Sequence, residues 1–134
     1  MSAVHWSPNL SIGVEDLDSD HRALIDILNE LDAEVAEGAG HGAVALKLDE
    51  LIVRTEAHFR REEAIMAREH YPEAAHHARV HEALLEEIRQ FRDEHRAGSA
   101  IGPEITAFLK RWLISHIIES DKHLGGYLEG RGAG

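Results

Sequence analysis

The sequence predicts an all-α protein, an up-down-up-down four-helix bundle with an N-terminal arm. Along four stretches of the chain, apolar residues recur at spacings of three and four, which is the period of one face of an α-helix. The connections between these stretches are short and contain glycine or proline, and helices joined so closely pack antiparallel. We therefore expect a single domain over residues 1–134, with an arm at 1–17, the bundle at 18–124 and a flexible tail at 125–134.

Composition and charge exclude several classes of partner. The net charge of −11 would repel a phosphate backbone, so the chain is not expected to bind nucleic acid. No apolar run is long enough to span a membrane, and the first residues do not resemble a secretory signal. Cysteine is absent, which fits a reducing compartment. We expect a cytoplasmic monomer, and the sequence assigns no protein partner.

The first predicted helix follows the arm, with Asp16 or Asp18 as its N-cap, and Gly38 ends it. Its core-facing residues repeat at spacings of 4, 3, 4, 3 and 4: Leu17, His21, Leu24, Leu28, Leu31 and Val35. His21 thus occupies a position where leucine would be expected.

The second predicted helix runs from about Ala43 to about Glu69. His58 and Glu62 lie four residues apart on its apolar face. A glutamate on a core face carries a large desolvation cost unless it is paired or bound to a metal ion. Glu63 falls outside that face and is expected to be solvated.

The third and fourth helices supply the remaining histidines of the core faces. Tyr71-Pro72 breaks the chain before the third helix, which runs from about Glu73 to Arg96 and carries His77 and His81 four residues apart. His76 points elsewhere. The fourth helix follows a loop at 97–102, starts at Pro103, carries His116 and ends before Gly125.

Five histidines are predicted to meet at one level of the bundle, since the helices alternate in direction. Neutral imidazoles that converge in a core leave nitrogens without partners, so a metal site is indicated. Five exceed one tetrahedral zinc site, which implies two metal ions, and imidazole with carboxylate suits iron, zinc or manganese. Glu62 can bridge two ions. On the fourth helix the spacing leaves Glu119 and Asp121 open, and Glu119 lies nearer the face of His116 on a regular α-helix.

The sequence resembles a hemerythrin of the bacterial type from Trp6 to about Leu124. The matching motifs are Gly13-Val14, Asp18-Ser19-Asp20-His21 with Leu24, His58-Phe59-x-x-Glu62-Glu63-x-x-Met66, Tyr71-Pro72, His77-x-x-x-His81, and Trp112-Leu113-x-x-His116-Ile117-x-x-x-Asp121. The chain departs from the family pattern at Asp20, where many relatives have glutamine, and at His123-Leu124, which replaces an aromatic ending. Both departures lie outside the ligand set and bear on how the site is tuned.

The resemblance implies a non-haem centre of two iron ions with an oxo or hydroxo bridge. One iron would be held by His77, His81 and His116, and the other by His21 and His58. Glu62 and Asp121 would bridge both ions. Dioxygen would bind at the open position of the iron with two histidines, in a pocket formed by Leu24, Phe59, Leu113 and Ile117.

The expected function is reversible dioxygen binding, for storage, transport or sensing, by a protein that is not an enzyme. A ligand set rich in histidine favours dioxygen binding over the oxidation chemistry of bundles with more carboxylates and Glu-x-x-His motifs. The alternatives are a di-iron peroxidase or nitric-oxide-handling enzyme, and an iron or redox sensor. If Asp121 is a ligand, it must share a face with His116 across five positions, which predicts a π-type widening of the helix between them.

Overall fold

The computed structural model describes residues 6–98 and 102–133, and within these ranges it contains helices and no strands. The helices are α1 (Glu15–Ala36), α2 (His41–Arg68), α3 (Ala74–Arg96), α4 (Pro103–His116) and α5 (Lys122–Ala133). A π-helical segment, Ile117–Asp121, joins α4 to α5, so these three form one continuous fourth helix. The predicted all-α, four-helix bundle is confirmed.

The core lies between the predicted apolar faces. Helix α1 packs against both α2 and α4, and α2 packs against α3. Phe91 of α3 and Phe108 of α4 meet with ring centroids 5.9 Å apart. Four leucines of the predicted face of α1 are at most 1% exposed: Leu17, Leu24, Leu28 and Leu31. None of the helices that the structure describes is long and apolar enough to cross a membrane.

The start of α1 differs from the prediction. The helix begins at Glu15, and its N-cap residue, Val14, makes no side-chain capping bond. Asp18 is buried, and its carboxylate accepts hydrogen bonds from the Ser11 hydroxyl at 2.6 Å and from the Ile12 N–H at 2.9 Å. Instead of capping the helix, Asp18 holds the arm against the bundle.

The end of the fourth helix was also predicted wrongly, since the helix does not stop before Gly125 but continues to Ala133. Leu124 is fully buried. A Cβ atom at Gly125 would stand 2.1 Å from the carbonyl oxygen of Ile12, so glycine here permits close contact with the arm. Tertiary packing therefore outweighs the low helix propensity of glycine. Gly134, residues 99–101 of the predicted loop and residues 1–5 of the predicted arm lie outside the described ranges.

The turn between α2 and α3 sets how these helices face each other. His70 takes a left-handed conformation with φ of 55°, and the Tyr71 N–H donates to the Met66 carbonyl at 2.9 Å. Pro72 follows, and the chain breaks here between α2 and α3, as predicted. The tight reversal lays the end of α2 beside the start of α3, which brings their metal-ligand side chains to one gap.

Candidate metal centre

Two overlapping groups of buried side chains lie at the centre of the bundle. Within each group, the potential ligand atoms all lie within 4.8 Å of one another. One group is Glu62, His77, His81, His116 and Asp121; the other is His21, His58, Glu62 and Asp121. The structure thus brings together the seven residues predicted as ligands. Glu119, which the spacing left open, is exposed and belongs to neither group.

Glu62 faces both groups, one carboxylate oxygen to each. Its Oε1 lies 2.6 Å from Nε2 of His77 and 3.1 Å from Nε2 of His81. Its Oε2 lies 3.1 Å from Nε2 of His58. A carboxylate divided in this way is placed to bridge two cations.

Asp121 is divided between the same two groups. Its Oδ1 lies 3.0 Å from Nε2 of His77 and 3.2 Å from Nε2 of His116. Its Oδ2 lies 2.8 Å from Nε2 of His21 and 3.9 Å from Nε2 of His58. The two carboxylates therefore lie between three imidazoles on one side and two on the other.

The π-helical segment explains how His116 and Asp121 reach the same place. A regular α-helix aligns residues three or four apart, whereas the wider turn of Ile117–Asp121 brings residues five apart onto one face. The predicted π-type widening is confirmed, and it lies at the point where the fourth helix contributes to the centre.

The donor atoms of this cluster are incompletely satisfied by the protein itself. Of the buried atoms that face the gap, five lack a hydrogen-bond partner among the described residues: Nε2 of His58, His77 and His116, Oε2 of Glu62, and Oδ1 of Asp121. Buried polar atoms without partners are costly, and here they all face the same gap. Imidazole nitrogens and carboxylate oxygens are ligands that suit iron, so the donor set fits a pair of iron ions.

The electrostatics of the gap favour cations. Burial lowers the pKa of His58, but its contacts with Asp121, Asp20 and Glu62 outweigh that effect and raise the pKa to about 11. Burial also lowers the pKa of His77, but contacts with Asp121 and Glu62 outweigh it and raise the pKa to about 9. Burial raises the pKa of Glu62, yet the surrounding imidazoles lower it to about 2. The buried carboxylates therefore remain ionised and attract positive charge.

Two carboxylate contacts with the Nδ1 atoms of ligand imidazoles were not predicted from the sequence. Nδ1 of His58 lies 3.0 Å from a carboxylate oxygen of Asp20, and the same oxygen lies 3.0 Å from Nε of Arg61. Nδ1 of His81 lies 2.8 Å from Glu63, whose side chain is 40% exposed, in line with the prediction that it is solvated, and also accepts a hydrogen bond from the imidazole. Such carboxylates orient imidazoles that bind a metal through the other nitrogen. Asp20 and Glu63 each stand next in sequence to a predicted ligand, and this position is the signal from which their contacts could have been predicted.

The residues predicted to form the oxygen pocket are all buried: Leu24, Phe59, Leu113 and Ile117. The ring of Phe59 stacks on the imidazole of His81 with centroids 3.7 Å apart, and it lies 5.7 Å from His58 and 5.8 Å from His116. An apolar ring stacked on an imidazole shields that face from water and strengthens electrostatic interactions beside it.

His123, the second departure from the family pattern, lies at the edge of the centre. The Tyr71 hydroxyl is 2.6 Å from Nδ1 of His123, which is also 2.9 Å from a carboxylate oxygen of Glu73. Burial and the charge of Glu73 raise the pKa of Tyr71 to about 12. The hydroxyl therefore stays protonated. The ring of Tyr71 lies edge-on to the imidazole of His77, with ring centroids 6.5 Å apart.

The fold and this arrangement define a helical-bundle metal-binding domain, and comparisons with known proteins specify the family. Residues 12–128 match the model of the hemerythrin HHE cation binding domain. The chain belongs to the hemerythrin family.

Relatives and solved structures agree with this assignment. The chain is 36% identical over 123 residues to a bacteriohemerythrin of Stenotrophomonas maltophilia, covering 91% of this chain and 79% of the relative. It is 30% identical over 129 residues to a bacteriohemerythrin of Pseudomonas aeruginosa, covering 96% and 82%. A crystal structure of a wild-type hemerythrin superimposes with a TM-score of 0.88 at 27% identity, covering 93% of this chain and 97% of that one.

Proposed function

We propose that this chain is a non-haem di-iron protein that binds dioxygen reversibly, for storage, transport or sensing. The observation that carries the proposal is the division of Glu62 and Asp121 between two groups of imidazoles. Two bridging carboxylates with five terminal imidazoles form a ligand set for a pair of ions. The family to which the chain belongs supports iron as the metal.

In this proposal each ligand has a defined position. One iron would be held by His77, His81 and His116, and the other by His21 and His58. Glu62 and Asp121 would be shared between the two. The iron with two histidines has one imidazole fewer and would be the one that takes up dioxygen. When bound, the iron pair supplies the electrons that dioxygen binding requires.

The protein contributes to this chemistry by holding the ligands in place and by limiting the access of water to the site. Imidazoles are neutral ligands, so the set carries only the two negative charges of its carboxylates. A set with fewer carboxylates stabilises high oxidation states less, which favours reversible binding over substrate oxidation. Leu24, Phe59, Leu113 and Ile117 are buried, and in this proposal they would line the dioxygen pocket and limit the access of water and protons.

Metal analysis and one optical experiment test the proposal. Native protein should contain two irons per chain, and the reduced protein should gain a visible absorption band in air that disappears when oxygen is removed. Protein that contains zinc and no iron contradicts the metal assignment. An irreversible spectral change with turnover of hydrogen peroxide or nitric oxide favours the enzyme alternatives instead.

A further inference from the structure

We propose that Asp20 is a positioning residue for His58, and that the ion pair of Asp20 with Arg61 sets how strongly the centre favours ferric over ferrous iron. This inference rests on the proposed function, because it concerns the iron pair. It goes beyond that function by assigning a tuning role to two residues outside the ligand set.

The geometry gives the two nitrogens of His58 different roles. Nε2 lies 3.1 Å from Oε2 of Glu62 and faces the gap, whereas Nδ1 lies 3.0 Å from Oδ2 of Asp20 on the opposite side of the ring. The proton of a neutral imidazole is therefore on Nδ1, donated to Asp20, and the lone pair on Nε2 is directed at the metal site. An anionic acceptor draws on that proton and makes the imidazole a stronger donor to a cation.

Arg61 moderates this effect. Its Nε lies 3.0 Å from the same Oδ2 atom of Asp20 that accepts the bond from His58. The three side chains form a line from the core to the surface, with 1% of His58, 18% of Asp20 and 51% of Arg61 exposed. Part of the negative charge of Asp20 is thus neutralised from the surface, and less of it acts on His58.

Among the described residues, no other imidazole of the centre contacts a carboxylate that also pairs with an arginine or a lysine. His81 donates to Glu63, but no arginine or lysine in the described ranges forms a salt bridge with that carboxylate. On the side of the centre with two histidines, Nδ1 of His21 is buried and has no hydrogen-bond partner among the described residues. Asp20 is therefore the carboxylate that acts on the proposed dioxygen-binding iron through a terminal ligand.

The direction of the redox shift distinguishes tuning from a structural role. In Asp20→Asn the anionic acceptor is lost, ferric iron is less stabilised, and the midpoint potential of the iron pair should rise. In Arg61→Gln the carboxylate acts on His58 without its counterion, and the potential should fall. The measurement is a spectroelectrochemical titration of the iron-loaded protein, with iron content determined for each variant.

Three further variants complete the test. Arg60→Gln removes the same charge from the neighbouring position, where the side chain is 79% exposed and pairs with Glu56, and it should leave the potential near that of the wild type. Asp20→Glu keeps a carboxylate and should restore most of the wild-type value. The double variant Asp20→Asn/Arg61→Gln should lie between the two single variants.

Each outcome decides the proposal. Shifts of Asp20→Asn and Arg61→Gln in the same direction, or equal potentials in fully loaded variants, overturn it. If Asp20→Asn alone fails to retain iron while Asp20→Glu is loaded, the positioning role is supported and Arg61→Gln decides the tuning role. Absence of an iron pair in the wild-type protein instead contradicts the proposed function, and this result does not depend on any variant.

Discussion

Leu113 connects the packing of a single side chain with the chemistry of the proposed site. It is 3% exposed and lies three residues before His116, on the same face of α4. In the proposed function, oxidation of the iron pair in air would require protons or an incoming anion to reach the site. An apolar wall makes both costly, since an unpaired polar group in such a place costs on the order of several kcal/mol.

We predict that Leu113→Asn admits water and accelerates autoxidation without changing the iron content. Leu113→Ala should accelerate it less, because a small apolar cavity can remain dry. The measurement is the decay of the oxygenated spectrum in air for the wild type and both variants, with iron quantified in each.

Leu109 provides the matched control, as it is 1% exposed and lies one turn earlier on the same helix. Leu109→Ala should cost about 3 kcal/mol of stability as a cavity in the core, with the decay rate unchanged. If all of these proteins decay at the same rate at equal iron loading, Leu113 is an ordinary core residue.

At the scale of elements, substitutions at two adjacent glycines of α5 distinguish the effect of helix propensity on stability from the effect of tertiary packing. Gly125→Ala should be destabilising, because the new methyl group would overlap the backbone of Ile12 in the arm. Gly126→Ala meets no atom within 4 Å and should stabilise the helix by about 1 kcal/mol. Urea unfolding of both variants measures the difference, and equal effects would contradict the close contact of α5 with the arm.

A buried ion pair joins α1 to α4 within the bundle. Lys110 donates to Asp32, which also accepts from the Thr106 hydroxyl at 2.9 Å, and the side chains of Asp32 and Lys110 are each 10% exposed. We predict that Asp32→Ala costs about 3 kcal/mol in urea unfolding, since it leaves a buried ammonium without its carboxylate.

The double variant Asp32→Leu/Lys110→Met tests whether the penalty comes from the charge that remains. It removes both charges and should be less destabilising than Asp32→Ala. A double variant that is less stable than the single variant would show that the pair itself contributes net stability.

The elements show which features the sequence predicts and which it does not. Apolar periodicity placed the four helices and the side chains that face the core, because burial imposes that spacing directly. It could not choose between Glu119 and Asp121, since the choice depends on the π-helical segment and not on an even 3.6-residue repeat. It also misplaced the end of α5, where contact of Gly125 with the arm overrides local propensity. Contacts such as that of Asp20 with His58 depend on side-chain direction, which periodicity does not specify.

At the scale of the whole molecule, the centre combines a source of folding stability with a metal site. In the absence of metal, protonated His58 and His77 would neutralise the buried carboxylates. In its presence, the imidazoles must be deprotonated, so metal ions and protons compete for the same nitrogens. The stability that bound metal adds should therefore increase as the pH rises.

The last prediction is that the metal-free protein loses stability as the pH rises above 6.5, whereas bound iron offsets this loss. His58 and His77 have pKa values raised from 6.5 to about 11 and about 9, so their contribution is fully present below pH 6.5 and is lost as the pH rises through the higher values. The pKa of Glu62 is lowered from 4.5 to about 2, so its contribution is present above pH 4.5 and is lost as the pH falls toward 2.

Stability of the metal-free protein should consequently be highest between pH 4.5 and 6.5 and decline toward pH 9. Urea unfolding of both forms across this range measures the effect, and the stability added by iron should grow with pH. His76→Gln serves as the control, because His76 is exposed and belongs to neither group of ligands, so its profile should follow the wild type. A flat profile for the metal-free protein would mean that the buried histidines remain neutral without metal and that the carboxylates are stabilised by other groups.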